Sequence, residues 1–247
     1  MGKIISIINQ KGGVGKTTSS ASISVALANM GYKTLVFDLD PQCNLTASLG
    51  ATSSDSNTYS VLKGNCKFKP ISIIPNLDLL PSSIDLSAFD LEMSGEPGKE
   101  YLLKELIESV IANYDYVILD CSPNLGLIAL NALTASKFYI IPLLPHYLSV
   151  QGLSKLLEIT DKIKKRLNPK LELGGVIITQ YNSRKILHQD TVEVIKKHFK
   201  EKLFTTFIRE NISLAEAPGS GLDIFRYAPS SNGAIDYLAL TKEIIKL

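Results

Sequence analysis

The chain has 247 residues, 45% of them hydrophobic, with 26 Lys and Arg against 24 Asp and Glu. That is enough apolar material for a buried core, and no apolar run reaches the roughly 18 residues of a membrane span. Three cysteines, Cys43, Cys66 and Cys121, without C-x-x-C spacing argue against a disulfide framework, a zinc ribbon or an iron–sulfur scaffold.

In chain order, short β-branched runs alternate with helical segments. "KIISIIN" leads into a helix over 17–31, and "KTLVFDLD" into a small polar stretch at 46–60 that reads as a mobile loop. "PISIIPNLDLLPSS" suggests two short strands or a hairpin, and "GEPGK" a break before a helix at 99–113. "YDYVILD" precedes a helix at 125–135, "FYIIPLL" one at 150–167, and "ELGGVIIT" one at 186–200. Continuous apolar strands between helices predict a single α/β domain over 1–247, with a mostly parallel, twisted sheet flanked by helices on both faces. In such sheets ligands bind beyond the carboxyl ends of the strands. Lys3 before the first strand, with no cleavage site after it, marks no leader, so a soluble, cytoplasmic protein is expected.

The chemistry-bearing motifs fall at those strand ends. "NQKGGVGKTT" follows the first strand. A phosphate-binding loop needs glycines that let backbone N–H groups turn inward, a lysine for the outer phosphates, and a hydroxyl for Mg²⁺ at a helix start. Gly12, Gly13, Val14, Gly15, Lys16, Thr17 and Thr18 are the candidate contacts, although Gln10 stands where the usual pattern wants glycine. Asp120 closes an apolar strand, where a carboxylate can hold Mg²⁺ through water, or merely cap a turn. Asp38 and Asp40, two apart on an extended chain, point the same way, and one of them can orient an attacking water. Histidines 146, 188 and 198 lie apart in sequence and read as surface or capping residues. Residues 161–210 hold 12 Lys and Arg against 6 Asp and Glu, which fits either a solvated helix face or an anionic partner.

"KGGVGKTT", "VFDLDPQCNLTASLG", "YDYVILDCSPNLGLIALNALTAS", "LSVQGLSKLLE" and "LAEAPGSG…AIDYLALTKEI" together resemble the ParA/Soj family of deviant Walker ATPases, collinearly over almost the whole chain. The resemblance implies a P-loop NTPase that uses ATP and Mg²⁺ and partitions plasmids or chromosomes. By that resemblance Lys16 binds its own subunit's phosphates, while Lys11 crosses a two-fold interface to the partner's nucleotide in an ATP-sandwich homodimer. Thr17 matches the family's Mg²⁺ ligand, Asp40 the residue that positions the lytic water, Asp120 the Walker B acid, and Asp38 the other acid of the pair, also a candidate at the metal. Adenine contacts are expected near Asn182, Ile208 and Arg209, and a nucleotide switch at Cys121, Ser122 and Pro123, where Ser122 replaces a proline.

The same resemblance implies nonspecific binding of double-stranded DNA and a ParB-like centromere-binding partner that stimulates hydrolysis. Arg184 matches one DNA-binding arginine. Ser213 takes the place of a second arginine and Glu210 that of another basic residue, while Lys185, Lys196, Lys197, Lys200, Lys202 and Arg209 surround the region in sequence. With no extension before the first strand, sequence-specific operator binding is not expected. Two alternatives remain at this level: a MinD-like membrane ATPase with a C-terminal amphipathic helix, and a nucleotide-gated module that recruits proteins without DNA.

Overall fold

The computed structural model describes residues 2–146 and 152–247. Seven strands, β1 (Lys3–Ile7), β2 (Thr34–Leu39), β3 (Ile71–Ile74), β4 (Leu77–Leu80), β5 (Tyr116–Cys121), β6 (Phe138–Leu143) and β7 (Glu172–Ile178), form one sheet. Their order is β3-β4-β2-β5-β1-β6-β7. All neighbours run parallel except β3, which pairs antiparallel with β4 as the tip of the expected hairpin. The central strands are buried along their whole length, which is why their sequences are continuous apolar runs without alternation.

Helices cover both faces. They are α1 (Lys16–Asn29), α2 (Asn44–Ser48), α3 (Thr58–Leu62), α4 (Phe89–Glu92), α5 (Leu102–Val110) and α6 (Leu127–Ala135), followed by α7 (Leu153–Arg166), α8 (Ile186–Phe199), α9 (Ser213–Glu216), α10 (Ile224–Tyr227) and α11 (Asn232–Ile244). On one face Ile23 and Leu27 of α1 and Tyr237, Leu240 and Ile244 of α11 pack with Ile5, Val36 and Ile118 of the sheet. On the other, Leu103 and Ile107 of α5, Ile128 and Leu133 of α6, Leu156 and Ile163 of α7 and Val192 and Ile195 of α8 pack on Leu35, Val117 and Ile141.

Helix α1 is buried on nearly every side, and its serines and alanines suit that position. They let it lie between sheet and α11, with the Ser19 hydroxyl 3.0 Å from the Tyr237 hydroxyl. The helix expected at 150–167 is present as α7; residues 147–151, which carry part of the "LSVQGL" motif, lie outside the described residues.

The stretch at 46–60 corrects the sequence reading. It is a loop only in part: it contains the end of α2 and the start of α3, and Thr46, Ser56, Asn57 and Thr58 are buried, while 52–55 are exposed. Its polarity is used internally. The Thr46 amide and hydroxyl both donate to Asp38 Oδ2, at 2.9 and 2.7 Å, and the Thr58 hydroxyl donates to the Asp38 carbonyl at 2.9 Å. Asn57 caps α3 by accepting from the Ser60 amide. Small polar residues that satisfy strand-end groups look, in sequence, the same as a solvated loop.

Candidate nucleotide site

The register aligns three strand ends. Ile7 of β1 and Asp38 of β2 both lie beside Asp120 of β5. Beyond Ile7 the chain is pinned to β6: Ile8 donates to the Ile140 carbonyl at 3.0 Å, and the Asn9 amide group donates to the Pro142 carbonyl at 2.7 Å. Asn9 Oδ1 accepts from the Lys11 amide, which starts the turn. Gly13 and Gly15 hold left-handed φ angles of 71° and 84°, conformations that side-chain-bearing residues seldom adopt. The loop then enters α1, whose N-terminus has no side-chain cap and whose leading N–H groups are suited to an anion.

The two residues just beyond β7 brace this loop. Thr179 donates to the Val14 carbonyl at 2.9 Å and Gln180 to the Gly13 carbonyl at 3.2 Å. Val14 itself is fully buried, so of this candidate contact only the main chain can meet a ligand. Sequence reasoning passed over Thr179 and Gln180, because nothing local to them signals the loop they touch.

Lys16 is buried and donates to the Lys11 carbonyl at 3.0 Å. Burial pulls its pKa below the ordinary lysine value, against the opposing charges of Asp120, Cys121 and Asp40. Asp120 is buried beside it, with its pKa pushed up to about 8 by burial first and then by Asp38; the Ser20 and Thr17 hydroxyls and Lys16 act the other way. Ser20 donates to Asp120 Oδ1 at 2.8 Å, whereas the buried Oδ2 has no protein donor. A buried carboxylate oxygen without a donor is what a cation would satisfy. Thr17 and Asp120 therefore fit a Mg²⁺ ion. Among the described residues no cluster of three His, Cys, Asp or Glu side chains forms a cage. That too suits Mg²⁺, which keeps waters and substrate phosphates as ligands.

Asp38 and Asp40 separate in role. Asp40 lines an open cavity of about 660 Å³ together with Gly12, Gly13, Lys16, Thr17 and Pro123. Asp38 is fully buried, accepting from Thr46 and from the Asp40 amide, the latter at 3.1 Å. Its carboxylate thus ties the start of α2 to the segment carrying Asp40, while staying beside Asp120, its neighbour across the strands. Burial pushes its pKa up to about 6, with the Thr46 and Asp40 hydrogen bonds acting in opposition. The turn after β5 is tied locally: the Ser122 hydroxyl donates to the Asn124 carbonyl at 3.3 Å.

A second cavity of about 530 Å³ adjoins the first through Gly15, Thr18 and Gln180, and is lined by Ile208, Arg209, Leu214 and Tyr237. Ile208 and Arg209, two of the expected adenine contacts, thus line a cavity that adjoins the phosphate loop. Asn182 does not line this cavity, because its side chain is spent in its own loop, donating to Glu210 Oε2 at 2.8 Å and accepting from the Arg184 amide at 3.0 Å.

The basic candidates do not form one patch. Arg184 and Lys185 lie at the start of α8 and Lys196, Lys197, Lys200 and Lys202 at and beyond its end, about 16 Å away at 1.5 Å per residue. Lys185 pairs with Glu210. Arg209 forks onto Asp236 of α11, with its Nη2 2.6 Å from Oδ1 and Nε 2.9 Å from Oδ2. Lys196 and Lys200 border a separate groove of about 690 Å³. Lys11 is exposed at the mouth of the phosphate loop. His188, expected at the surface or as a cap, is buried; its ring lies 5.3 Å from that of His146, edge to face, and its Nδ1 accepts from the Asn182 amide.

A mostly parallel sheet whose interior strand β1 feeds a glycine loop and a buried helix, with Lys16 and Asp120 close enough for their charges to interact, defines a P-loop nucleoside triphosphatase. The family model described as an AAA domain matches residues 2–173. The chain is 41% identical to the sporulation initiation inhibitor protein Soj of Bacillus subtilis, over 99% of this chain and 98% of that one. It is 38% identical to the chromosome-partitioning ATPase Soj of Treponema pallidum, with the same coverage. A solved structure titled cobyrinic acid a,c-diamide synthase of Mycobacterium smegmatis, with bound ADP and magnesium, superposes with a TM-score of 0.87 at 30% identity, covering 100% of this chain and 95% of that one. The chain belongs to the ParA/Soj family of P-loop ATPases.

Proposed function

We propose that the chain works as one DNA-partitioning ATPase unit that binds ATP with Mg²⁺, dimerises around the nucleotide, holds DNA without sequence preference, and lets go on hydrolysis. The carrying observation is the pairing of two lysines on one loop: Lys16 buried toward Asp120, and Lys11 exposed at the rim. Lys16 and the α1 N-terminus would receive the phosphates, Thr17 and Asp120 the Mg²⁺, and the cavity beside Ile208 and Arg209 the base. Asp40 would orient the attacking water, and Lys11 would reach a second subunit's nucleotide. Similarity to the Soj proteins over nearly the full length supports a ParB-like partner and a place on the nucleoid.

Fluorescence anisotropy of a random-sequence duplex, with ATP and Mg²⁺ or with ADP, at two salt concentrations, tests the DNA step. Binding confined to ATP and weakened by salt is expected; equal binding with both nucleotides would overturn nucleotide control.

The pairing of Lys185 with Glu210 and of Arg209 with Asp236 favours, as a second reading, a module that recruits proteins without DNA. It would be preferred if no duplex binds in either state. A lipid-bound reading has less support, because α11 buries Tyr237, Leu240 and Ile244 in the core. Among the described residues no helix is long and apolar enough to cross a membrane.

A further inference from the structure

Two donors from the loop before α8 converge on one carboxylate. Glu210 Oε1 pairs with the Lys185 ammonium, and Glu210 Oε2 accepts from Asn182 Nδ2 at 2.8 Å. The backbone enforces the meeting: Tyr181 bridges Arg209, and the Glu210 amide donates to the Tyr181 carbonyl at 3.0 Å. Lys185 stands at the N-cap of the 14-residue helix α8, which has no side-chain cap, so the positive helix end faces the same locality. Arg184, exposed, precedes it.

An ammonium, a side-chain amide and an uncapped helix start are the donors that proteins bring to a phosphodiester. A carboxylate presents the same charge and acceptors. Lys185 and then Asn182 hold the Glu210 carboxyl below the usual range, as an anion seated on donors should be. Glu210 also lines the cavity beside Gly15, together with Ile208 and Arg209, so the carboxylate sits on the wall of the nucleotide site.

We infer that Glu210 is an internal stand-in for a DNA backbone phosphate: it occupies the Lys185 and Asn182 donors, and a duplex must displace it to bind. This rests on the DNA-binding reading above. It assigns one phosphate position, names its competitor, and explains how an acidic residue can stand among the basic ones. Displacement removes Glu210 from a segment that walls the nucleotide cavity, so occupancy of either site biases the other.

The test uses the full chain with ATP and Mg²⁺ and a random-sequence duplex, followed by anisotropy across a salt series for the parent, Glu210→Ala, Glu210→Gln, Lys185→Ala and the Glu210→Ala/Lys185→Ala pair. Glu210→Ala is expected to bind several-fold tighter than the parent. Its slope of log affinity against log salt should steepen by about 0.9, the share of one added phosphate contact. Adding Lys185→Ala should cancel that gain, a coupling that a general loss of negative charge would not show. Glu210→Gln, which keeps an acceptor for Asn182 without the charge, should fall between and covers the case of an unstable alanine variant. Parent-like or weaker binding by Glu210→Ala and Glu210→Gln, with binding still lost in Arg184→Glu, would overturn the inference and leave the DNA reading standing. Absence of binding in the parent and every variant would overturn both. Binding by Glu210→Ala alone would support both and show the stand-in outcompeting DNA.

Discussion

The Lys16 ammonium donates to the main-chain carbonyl of Lys11 at 3.0 Å, across the phosphate loop. The two lysines are therefore linked through backbone and not through their charges, and their contributions can be separated. Lys16→Ala should weaken ATP binding roughly 100-fold, about 3 kcal/mol, as expected for a charged donor on a phosphate. Lys11→Ala retains that carbonyl, so it should bind nucleotide normally and lose the ATP-dependent dimer. Calorimetry reads the first and sedimentation velocity the second; a dimer of Lys11→Ala with ATP would refute its reach to a second subunit.

Asp40 lines the cavity at the phosphate loop, while Asp38 lies buried behind it. Asp40→Ala should bind ATP and lose turnover by about 100-fold or more, the range for removing a positioned base. Normal phosphate release by that variant would remove Asp40 from the water-orienting role.

The buried Asp38 gives a pH signature. Its folded pKa of about 6 lies above the ordinary aspartate value of 3.8, so the folded chain binds the extra proton between those values. That contribution favours folding fully below the unfolded pKa and is lost as pH rises through about 6. In denaturant unfolding without nucleotide, the stability of the parent relative to Asp38→Asn should fall by about 2 kcal/mol from pH 4 to 7. A pH-independent difference would contradict the buried, protonatable carboxyl.

Asp90 of α4 caps α6: its Oδ1 accepts from the Leu127 amide at 3.1 Å. A Cβ on Gly126 would lie 1.9 Å from Asp90 Oδ2, so Gly126→Ala must push the carboxylate off the helix start. The loss should be about 1 kcal/mol in unfolding experiments, the usual worth of an N-cap. In an Asp90→Ala background the same substitution should cost much less, since the cap is already gone.

The sheet and the phosphate loop were legible in the sequence because their signals are local. Buried parallel strands must be apolar throughout, and the turn from β1 into α1 must carry glycines at Gly13 and Gly15. What escaped was built by distant partners. The polarity of Thr46 and Thr58 acquires meaning only beside Asp38, and the fork of Arg209 only beside Asp236. His146, just past the end of β6, and His188, in the first turn of α8, are 42 positions apart and meet edge to face. The helix between Arg184 and the lysines near 196–202 was legible too, expected at 186–200 and found at Ile186–Phe199.

Gly50, after α2, and Gly221, in the turn before α10, touch main chain to main chain: a Cβ on Gly50 would stand 2.5 Å from the Gly221 carbonyl oxygen. Ala47 and Ser48 on one side and Pro218 and Gly219 on the other line the cavity that holds Asp40. Side chains at such a seam would absorb a small displacement by changing rotamer; bare backbone has none to change. A side chain at Gly50 would therefore force these two walls of the cavity apart.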